Sequence, residues 1–469
     1  MYSCVGDYIF AMARETQQEK LIRMTTQPVE KLIGKLALPT IISMVVTSIY
    51  NMADTYFVGG IGDSSSATAA VGFVFPLMTI MQAIAFFFGH GSGNYMAREL
   101  GKGNTKGAEQ MATTGLGISI ICGFVLTALG LIFRYPVAKY LLQSTDTALP
   151  YVLDYMSIIM MGAPVIMGSF VLNNQLRFQG NAFFGMVGIG LGGVLNIALD
   201  PLFIYTFDMG ILGAAAATVI SQVISFLILL FGITKSTSVQ MHIENFKPTW
   251  QCFKDIFSGG IPSLARQGMG AVAMVILNAT IKEQAILTFG FADDAVSAMT
   301  IVNKVMGFAA SALIGFGQGF QPVCGFNYGA GRKDRVRQAF WFCVKVGFVF
   351  LTVLSAIGAI FSYDIVWFFK NSEAVAKVGM EALRLQCIMF PFMTFTVMAN
   401  MMLQTMGLSG KATFLALSRQ GLFLIPCALI LPAIFGFTGV LLCQPVADLL
   451  SFVLAVPVTK RTLKKELAD

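Results

Sequence analysis

The sequence predicts an all-α polytopic membrane protein: twelve transmembrane helices in two six-helix lobes, related by a pseudo-twofold axis along the membrane normal. Three observations predict it. Of 469 residues, 56% are hydrophobic and only 12% charged, about half the charge of a soluble chain. The apolar residues gather into twelve runs, each long enough for the roughly 20 residues that cross a bilayer. Punctuating residues also recur at a fixed distance. Gly89 and Gly93 pair with Gly315 and Gly319, Pro164 with Pro391, Gly180 with Gly407, Gly213 with Gly439, and Gly101 and Gly103 with Gly329 and Gly331, all 226–228 positions apart. Six runs per copy is an even number, so both copies run the same way, and the duplication is parallel.

Residues 1–32 are polar and contain no basic-then-apolar secretory pattern. They are expected to be a cytoplasmic N-terminal segment, of which 1–23 contributes nothing to the fold. The spans are expected near 33–57, 67–90, 111–133, 148–177, 183–205 and 210–234 in the first lobe (33–235). A polar stretch with Pro248 and Trp250 reads as a cytoplasmic linker, 236–256. The second lobe (257–460) is expected to carry spans near 260–285, 293–320, 339–362, 375–405, 411–433 and 437–459, followed by a cytoplasmic tail, 461–469. Basic residues favour one set of loops, including Arg98, Lys102, Arg177, Lys235, Arg332, Lys333 and Lys411, together with both chain ends. The positive-inside rule makes that side cytoplasmic, as expected in a bacterial plasma (inner) membrane. The net charge of +7 is spread over these loops and forms no nucleic-acid patch.

The most informative stretch is Gly188–Tyr205, GIGLGGVLNIALDPLFIY. Asn196 and Asp200 are four apart and share a helix face. An ionised Asp within a span costs roughly 2.5–3.5 kcal/mol on insertion scales, so Asp200 reads as a site for a proton, an ion or a cationic substrate. Asp54 in the first span and Thr218 in the sixth fall at similar depth, roughly 5–12 Å below the outer boundary. The four make a plausible small polar site. At the repeat distance Asp200 falls on Pro426 or Cys427, so the acidic chemistry belongs to the first lobe. In the second lobe Lys304 and Asp448 both fall halfway across and are expected to pair. Pro39, Pro164, Pro201 and Pro262 are bend points, with Pro39 and Pro262 also compatible with helix first turns.

Several patterns carry less. Gly188–Gly193 is formally GxGxxG, but no strand precedes it, and close helix packing explains it better. The eight cysteines form no CxxC pair, and the two histidines have no zinc spacing, so no metal centre is expected. The absence of HExxH and GxSxG argues against an enzyme. The Met and Phe residues suit a greasy drug pocket, but singly they read as lipid-facing or core filling.

Three segments resemble one family. Gly315–Val336 resembles the second-lobe signature of the MATE (multidrug and toxic compound extrusion) transporters, Leu36–Gly59 their first helix with its acid, and Asn196–Ile204 the fifth-helix motif of the DinF-like, MepA-like branch. The resemblance spans about residues 30–460. It implies a cation-coupled antiporter that exports amphipathic, mostly cationic drugs by alternating access. It also implies a first-lobe site for H⁺, or Na⁺, formed here by Asp54, Asn196, Asp200 and Thr218, with no further cofactor. The expected partners are amphipathic small molecules and membrane lipid, with no nucleic acid, and the expected state is a monomer. Arg384 stands where the other branch keeps a second-lobe acid. An exporter or flippase of lipid-linked or other anionic precursors is the rival reading, kept open by Arg266, Lys304 and Arg419. A channel is a further rival.

Overall fold

The structure is a computed structural model that describes residues 16–59, 65–142, 144–235, 239–289 and 293–467; side chains at 51, 54–56, 58–59, 65–69, 289 and 293 lie outside that description. A short helix, α1 (Gln17–Thr26), precedes the first lobe. That lobe comprises α2 (Val29–Gly59), α3 (Ser65–Gly101), α4 (Thr105–Ile132), α5 (Leu149–Phe178), α6 (Ala182–Pro201) and α7 (Gly210–Thr234). The second comprises α8 (Trp250–Phe289), α9 (Asp293–Gly329), α10 (Lys333–Ile360), α11 (Glu373–Thr405), α12 (409–435) and α13 (437–466). Eleven helices among the described residues are long and apolar enough to cross a membrane, the last of them 58 residues long. Gly436, at φ 58°, breaks that last one into α12 and α13, which makes twelve crossings.

The repeat is visible in the helix ends. Gly103, Gly180, Gly331 and Gly407 all have positive φ, which a residue without Cβ adopts freely. Each closes a helix with the same pair of bonds: Gly103 N to Leu100 O and Asn104 N to Glu99 O, repeated as Gly331 N to Tyr328 O and Arg332 N to Asn327 O. Gly180 and Gly407 do likewise with Arg177 and Leu176, and with Gln404 and Leu403. This is the Schellman cap, which explains why these glycines recur. It also explains why α3 and α9 run ten or so residues past their apolar parts: the stop signal is the cap, not the bilayer boundary. Similarly, α8 begins at Trp250, inside the stretch expected to be a linker, and Pro39 and Pro262 lie inside their helices rather than in first turns.

Each lobe wraps one central helix. The most apolar stretches of α5 and α11, equivalent helices, are 72% and 67% buried, against 44% or less for the others. Between lobes, α2 packs on α9 and α3 on α8, the same pairing with lobes exchanged. Where α3 meets α9 the contact is reciprocal. A Cβ on Gly101 would lie 2.3 Å from Phe326 O, and one on Gly329 would lie 2.1 Å from Arg98 O. Residue and partner swap under the same 228-residue shift, as a twofold axis requires.

That junction lies at the end carrying the termini. There one apolar cluster joins both lobes, with Leu32, Leu36, Met96 and Leu100 against Phe320, Phe326, Phe340 and Leu463. At the opposite end each lobe has its own core, around Met81, Val152 and Ile159 in the first and around Leu277, Val302 and Leu441 in the second. Hydrogen bonds between the membrane helices of the two lobes include Gln338–Glu30, Gln110–Cys252 and Arg98–Thr405, and continue through Thr40–Gly315 to Ser48–Ser311.

Residues 1–23 do not all lie outside the fold. Thr16 and Glu19 form a reciprocal capping box that starts α1. Lys20 is 2% exposed, and its Nζ donates to Asn181 Oδ1 at 2.7 Å. Asn327 Nδ2 donates to Met24 O at 3.0 Å, and Arg335 donates to Gln27 O. A polar helix docks here through Lys20, Met24 and Thr25 because both lobes supply it with partners, which composition alone does not reveal.

Candidate functional site

Asn196 and Asp200 lie on the last two turns of α6, where Pro201 removes a backbone donor and the chain continues as a π-helical turn, Leu202–Thr206. Such turns are frequent at functional sites. Asp200 is fully buried and Asn196 nearly so. Asn196 Nδ2 donates to Asp200 Oδ1 at 3.1 Å. A carboxylate only accepts, so the amide nitrogen must face it. That leaves the Asn196 carbonyl oxygen to bind something else.

What lies nearby is a cavity of about 20 Å³, roughly what one water requires. Asn196 and Thr218 line it, with Thr47 and Tyr50 of α2 and Ser221, Gln222 and Ser225 of α7. Asp200 stands behind Asn196, off the lining itself. The glycines of GIGLGG make this narrow space possible: a Cβ on Gly192 would come within 2.9 Å of Ser225 Cβ, and one on Gly193 within 3.2 Å of Val46. Gly188 and Gly193 of the GxGxxG pattern therefore serve helix packing of α6 on α7 and α2, while a Cβ at Gly190 would meet nothing within 4 Å. The hydroxyls and carboxamides form a hard-oxygen set suited to water, a proton carrier or Na⁺.

Asp54 lies on α2, and its side chain falls outside the described residues. Its neighbours on the helix bracket it. Tyr50, one turn before it, lines the cavity, and Phe57 O accepts from Tyr205 Oη at 2.7 Å, tying α2 to the end of α6. The small cavity adjoins two larger ones. One of about 110 Å³ also touches Tyr50, Thr218 and Gln222. The other, of about 150 Å³, lies between the lobes and shares Thr47 and Ile189. Phe170 of α5 borders all three.

The second lobe corrects one expectation. Asp448 does not pair with Lys304, which is exposed on α9. Its carboxylate accepts from Arg419 Nε at 2.6 Å and from Gln444 Nε2 at 2.9 Å. Arg419 sits in a π-helical turn, Ser418–Leu424, within α12; with its planar fork on the helix next to α13, it matches the carboxylate better than a lysine reaching across from α9.

Sequence reading missed Thr47, Tyr50, Ser221, Gln222 and Ser225. The last three had a signal: with Thr218 they form a polar stripe at i, i+3, i+4 and i+7 in an otherwise apolar helix. It also counted Arg177 among loop charges, whereas the residue is 2% exposed.

A family model, MatE, matches two segments, residues 39–202 and 272–430, together more than half of the chain. The multidrug export protein MepA of Staphylococcus haemolyticus is 26% identical over 452 residues, covering 94% of this chain and 95% of that protein. MepA of Staphylococcus aureus is 26% identical over 443 residues, covering 92% and 94%. Among solved structures, an outward-facing multidrug resistance MATE transporter of the MOP superfamily superposes with TM-score 0.88 at 26% identity, covering 96% of this chain and 99% of that one. A MOP superfamily transporter from Pyrococcus furiosus, described as having a binding pocket of reverse polarity, gives the same score, identity and coverage. With its duplicated twelve-helix architecture and two segments matching the family model, this chain belongs to the MATE family of multi-pass membrane transporters.

Proposed function

We propose that this chain is a cation-coupled antiporter that exports amphipathic, mostly cationic compounds from a bacterial cell by alternating access, with H⁺ as the favoured coupling ion and Na⁺ as the alternative. The observation that carries the reading is a fully buried carboxylate, Asp200, held by Asn196 beside a cavity of the size of one water. Proton uptake at Asp200 removes its attraction for a cationic substrate. Thr218, and Asp54 on α2, complete the coupling site; a Na⁺ ion would use the same oxygens. The staphylococcal relatives named for multidrug export support the cargo class.

The coupling ion drives the cycle only through a difference in affinity between the two states. With both termini on the cytoplasmic side, the end closed by Gly101, Gly329 and α1 is the inner gate, and the conformation described here is outward-facing. The reading includes the plasma membrane as location and a monomer as the working unit. The test is ethidium efflux from proteoliposomes under separately imposed proton and sodium gradients, for wild type and Asp200→Asn. Efflux driven by one gradient in wild type and lost in the variant is the expected result. Equal efflux by both forms under every gradient would refute it.

A further inference from the structure

The cavity between the lobes has a chemistry that the coupling site does not use. It measures about 150 Å³ and is lined by Thr40, Gln82, Asn173 and Arg177 of the first lobe and by Gln267 and Gln318 of the second, among others. Among the described residues, no acid lines it. Arg177, at the last turn of α5, is the one charged group there and is 2% exposed. Its Nη2 donates to Asn174 Oδ1 at 2.7 Å and to His90 Nε2 at 3.2 Å. His90 Nδ1 lies 3.1 Å from Phe86 O; a carbonyl only accepts, so Nδ1 carries the proton, and Nε2 accepts as a neutral ring. Phe178 offers its ring face at 5.0 Å. The Nε and Nη1 donors of Arg177 are buried without a partner. The charge close enough to act on it is another arginine, Arg266 of the second lobe.

Packing does not demand an arginine at this place. The repeat puts Gln404 at the equivalent position, an uncharged side chain whose Nε2 donates to Gly259 O and Ser263 Oγ, both at 2.8 Å, while its Oε1 is buried without a partner. A buried guanidinium with idle donors and a like charge nearby is unfavourable unless something negative joins it. The space is also adequate: a cavity of this volume accepts a group as large as a benzene ring.

We propose that the inter-lobe cavity binds the anionic oxygen group, a carboxylate or a phosphate, of an amphipathic molecule, with Arg177 as its charge partner and Gln267 and Gln318 as donors from the opposite lobe. This rests on the exporter reading and narrows its cargo: compounds that carry such an anion, alone or beside a cationic group, belong to its substrates or its bound lipids. Ligand oxygens contacting both lobes favour the state in which the lobes are joined at this level.

The test uses the full chain in nanodiscs of zwitterionic lipid, with hexanoate, hexyl phosphate and hexylammonium titrated calorimetrically and empty nanodiscs as the control. Wild type should bind at least one of the anions about tenfold or more tighter than the cation, and Arg177→Met should lose about tenfold or more of that affinity while Arg177→Lys retains part of it. Binding of hexyl phosphate alone, displaced by phosphatidylglycerol in the disc, identifies a lipid headgroup; binding of hexanoate identifies a soluble carboxylate. Hexylammonium binding as tightly as both anions overturns the proposal, whether or not the variants fold, and so does an Arg177→Met protein with undiminished anion affinity. Proton- or sodium-driven ethidium efflux, measured in parallel, separates the two readings: efflux without anion binding sinks this inference alone.

Discussion

Two buried carboxylates on membrane helices, Asp200 in the first lobe and Asp448 in the second, have different surroundings. Asp448 is clasped by a guanidinium at 2.6 Å and a carboxamide at 2.9 Å. Asp200 is bonded by the carboxamide of Asn196, next to a water-sized cavity. The first arrangement sets the acid against a guanidinium on the neighbouring helix. The second sets an acid against a neutral amide beside space for one water, and in the proposed mechanism it is the one that exchanges its charge. Duplication therefore preserved the frame and divided the surroundings, with an ion pair in one half and an amide-bound acid in the other.

The largest expected effect breaks the comparison if it fails. Asp200→Asn keeps the shape and volume of the side chain and removes its titration. We expect gradient-driven efflux to disappear, while thermal stability in detergent changes by no more than about 1 kcal/mol. Asp448→Asn should do the reverse. It leaves Arg419 partly buried without its counter-charge, which destabilises by about 2–4 kcal/mol after allowance for the 22% exposure of the arginine. Efflux per folded molecule should be retained. The double variant Arg419→Met/Asp448→Leu should recover most of the lost stability, because two well-packed apolar groups substitute for the pair. Melting temperatures and vesicle efflux measured on the same preparations decide both cases.

The frame shared by the lobes yields the next effect. Ala at Gly329 would set its Cβ 2.1 Å from Arg98 O, and Ala at Gly101 would set its Cβ 2.3 Å from Phe326 O. Both neighbours are backbone and cannot step aside. Each substitution should therefore weaken the α3–α9 crossing by about 1–3 kcal/mol. Because only the lobe-to-lobe contact is strained, the population should move toward the state open at the end bearing the termini. A cysteine placed at Ala97, buried in this junction, should then react faster with a maleimide in either variant than in the parent, and unchanged labelling would argue that the junction does not open in the cycle.

How much of this was legible follows from what each residue depends on. Twelve spans, their parallel duplication, and the pairing of Asn196 with Asp200 rest on local periodicity and spacing, which a sequence displays directly. Arg177, Lys20 and Arg419 depend on partners 87, 161 and 29 residues away, and nothing local announces such partners. Polarity in the α1 region suggested a detached segment, and the basic character of Arg177 suggested a loop; both are buried because distant elements complete them. The break at Gly436 was legible as the gap between two apolar runs, although the helical backbone is nearly continuous across it. The small cavity was half legible: Asp200 stood out as costly, whereas the uncharged Tyr50 and Gln222 did not.

The smallest effect tests whether the two frames are energetically alike. Gly103 and Gly331 cap equivalent helices with φ of 77° and 74°, and a Cβ at either would meet nothing within 4 Å. Replacement by Ala thus removes no contact and creates no clash; what remains is the left-handed backbone itself, unfavourable by about 1–2 kcal/mol for a residue with a Cβ. Both substitutions should lower stability by the same amount within about 0.5 kcal/mol, and the double variant should show their sum. Gly180 and Gly407 provide the contrast. Their φ angles match, but a Cβ at Gly407 would lie 3.4 Å from the Arg98 guanidinium, against 3.8 Å from the Met24 sulfur at Gly180. Gly407→Ala should exceed Gly180→Ala in cost, because Arg98 is also the donor to Thr405 O that bridges the lobes. Equal losses at 103 and 331 with unequal losses at 180 and 407 would show that the caps were duplicated as backbone geometry, and that the lobes diverged only where a side chain from the other half came to rest on them.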